Sequence, residues 1–313
     1  MTEKIRIYTS QGEIDSPPRG SCALALGTFD GVHIAHSRLL ESAKELKAAK
    51  GCQSAGAWCF SSPPSAILNN DLTPQLTSTE EKIALILDCG IDFVAVADFT
   101  DFKDMSAEDF VGHVLMDYLG CVCAVCGFNH RFGAGGRGDA GLLESLLGHG
   151  NLVSVSEVTC FGETVSSTAI REHISLGNIE IANAMLGRPF SLTAKVVEGK
   201  HLGRRLQFPT ANMLFPKGAV IPHLGIYATV CRVGGKSYIG VSNVGVRPTV
   251  TDGSDSHSVN CETYIVDFSG DIYGSEITVE FHKYLRREQK FDSLDSLKAQ
   301  IERDKLAAIE FFG

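Results

Sequence analysis

Two histidines, His33 and His36, stand three residues apart in the stretch GTFDGVHIAH, directly after an apolar run that ends at Leu26. Gly27 and Gly31 let the backbone turn closely there, and the histidines fall at the start of the helix that follows. Imidazoles beside the unpaired N–H groups of a helix N-terminus can hold a triphosphate and stabilise a departing pyrophosphate. One histidine near a helix start is commonly an ordinary surface residue. Two of them in a Gly-Phe-Asp-Gly setting after a strand are a far more specific signal. A second stretch, VSSTAIREHISLG from Val165 to Gly177, places the hydroxyls of Ser166, Ser167 and Thr168 at a helix start and adds the cation of Arg171. On its own it reads equally as a capped helix.

Two other patterns look chemical and have plainer accounts. Cys121, Cys123 and Cys126 alternate with Val122, Ala124 and Val125. They read as a buried strand whose thiols would not all point one way, with no second Cys/His pair nearby. Gly133, Gly135 and Gly138 spell G-x-G-x-x-G, with Glu157 roughly 20 residues on, as in a dinucleotide-binding turn. That turn normally follows the first strand at once, whereas six residues intervene here, so a mobile Gly-rich loop is the better reading. No G-x-x-x-x-G-K-[ST] occurs, so a kinase in this chain must be built another way.

The elements that position these residues fall into two rhythms. The 313 residues suffice for two domains, and 44% apolar with 21% charged content is that of an ordinary globular protein. The net charge of −9 argues against a nucleic-acid partner met through a broad basic face. No apolar run reaches a membrane-spanning length of about 18 residues, so no membrane partner is expected. The first residues lack the uninterrupted apolar core of a secretion signal, and a cytoplasmic protein with reduced cysteines is expected. Nothing in the sequence specifies an oligomeric state.

From Ser21 to about Leu186, strands at Cys22–Leu26, Ser54–Phe60, Phe93–Ala97 and Cys121–Cys126 alternate with capped helices. That alternation predicts a doubly wound, Rossmann-like α/β domain over residues 1–186 with its site at the carboxyl ends of the strands. After Pro189, short β-rich runs separated by Gly, Asp and Ser predict a small antiparallel β-barrel over residues 187–313. An amphipathic helix from Leu294 to Phe312, with Leu297, Ile301 and Leu306 near helical spacing, closes it.

On GTFDGVHIAH and VSSTAIREHISLG, with GFNHRFG from Gly127, VVEGKHLGRRLQFPTANM from Val196, NVGVRPT from Asn243 and LRREQKF from Leu285, the chain resembles the bacterial bifunctional riboflavin kinase/FMN adenylyltransferase family, over about Ser21 to Arg303. GTFDGVHIAH resembles the nucleotidyltransferase His-x-Gly-His motif in its flavin-synthesising form, with Ala35 for the usual Gly. The resemblance implies that Gly27, Phe29, Asp30, Gly31, His33 and His36 surround ATP, joined by Ser166, Ser167, Thr168 and Arg171. GFNHRFG resembles the flavin and nucleotide loop and assigns Asn129 and Phe132 to flavin, with His130 where Phe is usual. FSSPP keeps Phe60 and Pro64 of Phe-x-Pro-His-Pro but carries Ser62 and Pro63, and Ala169 replaces a common Arg.

VVEGKHLGRRLQFPTANM resembles the riboflavin kinase signature, in which Gly199 and Gly203 would form a flap over the phosphates. Thr210 and Asn212 set two neutral oxygens on one side of an extended strand, which suits Mg²⁺. NVGVRPT matches a further segment, and Glu262 falls at the position of the catalytic base, a role suited to a carboxylate. LRREQKF assigns Arg286 and Phe291 to the flavin ring. The resemblance implies ATP-dependent phosphorylation of riboflavin to FMN and adenylylation of FMN to FAD, both with Mg²⁺. The departures in the first half suggest that the second step is the slower one. A riboflavin kinase whose first domain is weak or inactive is the alternative, and a flavin-sensing binding protein without turnover is the alternative of another class.

Overall fold

Apolar runs without polar alternation form strands covered on both faces. Here they make the middle of a seven-stranded sheet in a computed structural model that describes residues 4–64, 73–198, 210–247 and 258–313. The chain divides into two units, Met1–Ser167 and Thr168–Gly313. In the first, the strands are β1 (Ile5–Thr9), β2 (Gly12–Ile14), β3 (Cys22–Leu26), β4 (Ser54–Phe60), β5 (Phe93–Ala97), β6 (Cys121–Gly127) and β7 (Leu152–Val155). Their order is β2-β1-β5-β4-β3-β6-β7, parallel from β5 to β7. A small hairpin, β8 (Thr159–Cys160) with β9 (Glu163–Thr164), follows.

The two core layers repeat the pleat. Leu24 and Leu26 of β3 face Trp58 and Phe110 on one side, while Ala23 and Ala25 face Leu40 and Ile86 on the other. The cysteines of β6 divide the same way: Cys123 meets Cys52 at 3.8 Å, and Cys121 and Cys126 lie in the opposite layer. Helix Ile34–Lys50 buries Leu39, Ala43 and Leu46 and ends at left-handed Gly51. Helix Thr79–Asp88 starts in the expected capping box of Ser78 and Glu81.

One part of the sheet goes beyond the sequence reading, which begins it at Ser21. Strand β1 adds antiparallel to β5, Ile7 opposite Ala95, and buries Ile5 and Ile7. Its short alternation with charged Arg6 carries little signal until that distant partner is known.

The second unit carries two helices, Ser167–Leu176 from its second residue on and Ile179–Leu186, then β10 (Phe190–Lys195), β11 (Thr210–Leu214), β12 (Gly225–Val233), β13 (Lys236–Arg247), β14 (Ser258–Ile265) and β15 (Glu276–Arg286). The order β10-β15-β12-β13-β14-β11 is wholly antiparallel. A bridge between Val197 and Asn212 links its two edges, so the sheet curls into a barrel. Gly234 and Gly235 turn the β12–β13 hairpin at φ of 55° and 78°, the left-handed pair that a two-residue loop needs. Asn183 staples the preceding helix to the barrel, donating to the Phe281 carbonyl and accepting from the Phe190 N–H, both at 2.7 Å.

Helix Leu294–Phe312 lies across the outer face of β12 and β13, with the expected Leu297 and Ile301 turned to a cavity there but not Leu306. Ala308 is buried against Ile226, Ala228 and Val241, while Leu306 is exposed. A small residue lets the helix approach closely, so Leu306 is turned to water.

Gly56 of β4 generates a stability test. A Cβ there would lie 2.3 Å from the Phe93 ring and 2.8 Å from Leu24. Gly56→Ala is expected to destabilise the first unit by roughly 1–3 kcal/mol through overpacking. Fluorescence of the single tryptophan, buried Trp58 in the same strand, reports that unit during urea unfolding. An unchanged midpoint would show that the layer has slack.

Candidate active sites

The strand order of the first sheet reverses between β3 and β6, and ligands of such sheets bind outside the carboxyl ends at that point. Gly27 follows β3 and Gly127 closes β6. Two adjoining cavities open there, of about 420 and 250 Å³, sharing Thr28, His36, Leu39, Gly127 and Asn129. His33 caps the helix: its Nδ1 accepts the His36 N–H at 3.3 Å, which places the ring's proton on Nε2, the nitrogen able to donate to a phosphate oxygen. The two imidazoles stack with centroids 3.6 Å apart, and both rings face the smaller cavity together with Ala35, Ser166 and Ser167. Burial first, then neighbouring His33 and Lys82, hold the His36 imidazole well below its ordinary range, so it is neutral at pH 7.

The turn before the helix is tight, with Phe29, Gly31 and Val32 at φ of 53°, 81° and 37°. Phe29 is fully buried beneath His36, ring centroids 5.0 Å apart, so it supports the imidazole from the core. Asp30 is also buried. Its carboxylate accepts the Leu76 and Thr77 N–H groups at 3.0 and 3.3 Å, and its carbonyl accepts the Ser167 hydroxyl at 2.9 Å. The Gly31 N–H donates to the Thr77 hydroxyl at 3.1 Å. Phe29 and Asp30 therefore build the turn, whereas His33, Ser166 and Ser167 line its cavity. Thr168 and Arg171 continue the helix that Ser167 begins.

The larger cavity is aromatic, walled by Trp58, Phe60, Phe99, Phe102, Phe110 and Phe132. Asn129, His130 and Pro64 share its wall. The Gly-rich loop closes on itself rather than standing out: Phe132 and Gly138 exchange backbone bonds of 3.1 and 2.9 Å, and a Cβ at Gly133 would lie 2.8 Å from the Ala107 backbone. His130 Nε2 is buried with no partner among the described residues, and burial pushes its pKa down to about 4. Lys82 is a residue that no motif signalled. It is 2% exposed, and its ammonium donates to the Phe60 carbonyl at 2.7 Å and to Thr28 and Ser61 at 3.5 Å each. It thus ties the end of β4 to the turn after β3.

On the barrel, antiparallel register sets a row of five residues across adjacent strands: Asn212, Glu262, Asn243, Ile226 and Arg286. Thr210 lies on the same side as Asn212, whose amide nitrogen reaches the Thr210 hydroxyl at 3.5 Å. Asn212 Oδ1 is buried without a partner among the described residues. A cavity of about 260 Å³ is lined by Thr210, Asn243, Glu262, Tyr264, Arg286 and Phe291, among others. Asn260 donates to Glu262 Oε1 at 3.1 Å and orients the carboxylate. Arg286 is gripped by buried Asp304 through bonds of 2.9 and 2.6 Å, so its guanidinium stands fixed at the cavity edge. Gly199 and Gly203 lie outside the described residues.

A family model for FAD synthetase matches residues 16–169, and one for riboflavin kinase matches residues 186–312. The bifunctional riboflavin kinase/FMN adenylyltransferase of Escherichia coli (strain K12) is 36% identical over 305 residues, covering 96% of each chain. That of Listeria monocytogenes is 34% identical over 293 residues, covering 92% of each. Among solved structures, one titled as a macrolide-efflux protein from Streptococcus pneumoniae superimposes with a TM-score of 0.86 at 26% identity, covering 94% of this chain and 95% of that one.

The neutral histidines set a pH dependence. His130 has an ordinary value of 6.5 when unfolded and about 4 in the fold, so between these the unfolded chain binds a proton that the folded chain refuses. Stability of the first unit is therefore complete above about pH 6.5 and declines as pH falls toward 4, with His36 acting in the same direction. His130→Phe is expected to shrink the loss of Trp58-monitored stability between pH 7 and pH 5. Equal losses in both proteins would assign the acid sensitivity elsewhere.

Proposed function

Because the chain belongs to the bifunctional riboflavin kinase/FMN adenylyltransferase family, we propose that its two units divide the two reactions. Adenylyl transfer takes place at the strand-end cavities and phosphoryl transfer on the barrel face. The chain phosphorylates riboflavin to FMN and adenylylates FMN to FAD, with ATP as donor in both steps. We place the division of labour at residues 1–186 and 187–313. None of the ten cysteines forms a disulfide, which together with the use of ATP supports a cytoplasmic setting. No helix among the described residues is long and apolar enough to cross a membrane.

In the first unit the observation that carries the reading is the stacked His33–His36 pair opening on the same cavity as Ser166 and Ser167. The FMN phosphate oxygen bonds to the α-phosphorus of ATP, the bond to the β-phosphate oxygen breaks, and its electron pair leaves with pyrophosphate. Neutral N–H and O–H donors at a helix start stabilise that charge. The aromatic cavity, with Asn129 and Phe132 in its wall, suits the flavin ring.

On the barrel, Glu262 is the base, flanked across the sheet by Asn212 and Asn243. The terminal hydroxyl of riboflavin gives its proton to the carboxylate as its oxygen bonds to the γ-phosphorus, and the breaking P–O bond leaves its pair on ADP. Thr210 Oγ1 and the unpartnered Asn212 Oδ1 are neutral oxygens on one side of β11, a donor set that fits Mg²⁺ with water and phosphate completing its shell. When bound there, the ion would neutralise charge on the β- and γ-phosphates. Arg286 and Phe291 border the flavin end of the cavity.

Two measurements test these assignments. Glu262→Gln is expected to slow FMN formation by about 10²–10⁴-fold while riboflavin still binds, and a near wild-type rate at saturating substrates would move the base elsewhere. With FMN supplied directly, the wild type is expected to make FAD, more slowly than it makes FMN from riboflavin, because Ala35, Ser62, Pro63, His130 and Ala169 depart from the family pattern. The His33→Ala, His36→Ala double variant should lose that FAD synthesis. A wild type that makes no FAD would favour a kinase alone, and undiminished FAD in the double variant would displace the site.

A further inference from the structure

The row across the barrel is ordered, and the order has chemical content. Asn212 on β11 stands at one end with the neutral oxygens assigned to metal and phosphate, and Arg286 on β15 stands at the other, beside the flavin end of the cavity. Glu262 and Asn243 lie between them on neighbouring strands, followed by apolar Ile226. Adjacent strands lie about 4.8 Å apart. A substrate laid along this row has its phosphorylated end at Glu262 and its ring over Ile226, so the last carbons of its polyol chain pass Asn243.

Asn243 is built for such a passage. Its Oδ1 is buried and has no partner among the described residues, although the residue lines the cavity. A buried carbonyl oxygen left unpaired is destabilising, so a donor arriving with the substrate is favoured there. The amide nitrogen lies on the side of Gly245, where a Cβ would stand 3.5 Å from Asn243 Nδ2 and 2.5 Å from Glu288 Oε1. Glycine leaves room for the Glu288 carboxylate on that side.

A hydroxyl has a single proton to donate. The terminal hydroxyl must give its own to Glu262, so it cannot also satisfy Asn243. We infer that Asn243 accepts a hydrogen bond from the secondary hydroxyl next to the terminal one, so that the vicinal diol at the end of the ribityl chain bridges Asn243 and Glu262. This inference rests on the reading of the barrel face as the kinase site. It makes Asn243 a specificity determinant for a polyol end, since a primary alcohol without its neighbour leaves Oδ1 unpaired.

The test compares riboflavin with an analogue lacking only that secondary hydroxyl, using the full-length protein and following phosphorylation. The wild type is expected to prefer riboflavin by about ten- to a hundredfold in kcat/KM. Asn243→Ala should reduce the rate with riboflavin and bring the preference close to one, with the magnesium dependence unchanged. Asn243→Asp, which keeps an acceptor oxygen in place, should retain the preference at a lower rate, and it serves as the test if the alanine variant does not fold. A preference that persists in Asn243→Ala, or that is lost in Asn243→Asp along with it, overturns the inference. A wild type that forms no FMN from riboflavin would overturn the kinase reading itself.

Discussion

Both sites depend on strand register, because a slip of one residue would turn every side chain of a strand to its other face. On the barrel, such a slip of β14 would bury Glu262 and bring Cys261 or Thr263 to the cavity. The inner face resists it. Thr229, Ser242 and Thr263 form a chain of hydroxyl bonds of 2.9 and 2.8 Å, all fully buried, among Cys231 and Cys261. Each hydroxyl finds its partner only when β12, β13 and β14 are in this register. Leaving buried hydroxyls unpaired is the main penalty against the alternative. The polar core thus holds the acidic outer face in position.

In the parallel sheet the same constraint acts at strand ends. Register between β3, β4 and β6 brings Gly27, Phe60 and Gly127 to one edge, where the chain must leave the sheet. Carbonyls at that edge have lost their ladder partners, and the buried ammonium of Lys82 collects three of them. A buried cation costs heavily unless its hydrogen bonds are made. Lys82 therefore fixes the ends it binds and adds positive potential behind the histidines. Burial first, then His33 and that potential, keep His36 neutral, so it offers an N–H donor without adding charge to the fold.

Among the departures from the family pattern, His130 lines the larger cavity and Ala35 the smaller, and the row across the barrel holds none of them. An aromatic pocket tolerates exchange of one planar ring for another better than a register-bound row tolerates loss of an oxygen. The change at Ala35 adds one methyl to the smaller cavity.

Local pattern alone determined the elements and their two rhythms. An apolar run with a glycine end marks β3, apolar runs mark β4 and β5, a capping residue marks the helix start at Ser78, and the period of two puts Thr210 and Asn212 on one side. Each of these is a short-range property, written within a few residues. Only the tertiary structure decided that β1 pairs with β5, that Phe29 and Asp30 serve the turn rather than the cavity, and that Arg286 is held by Asp304. It alone placed Asn243 beside Glu262 and buried Lys82 under the strand ends. These facts arise from pairing between segments far apart in the chain, and burial is defined only once those segments have met.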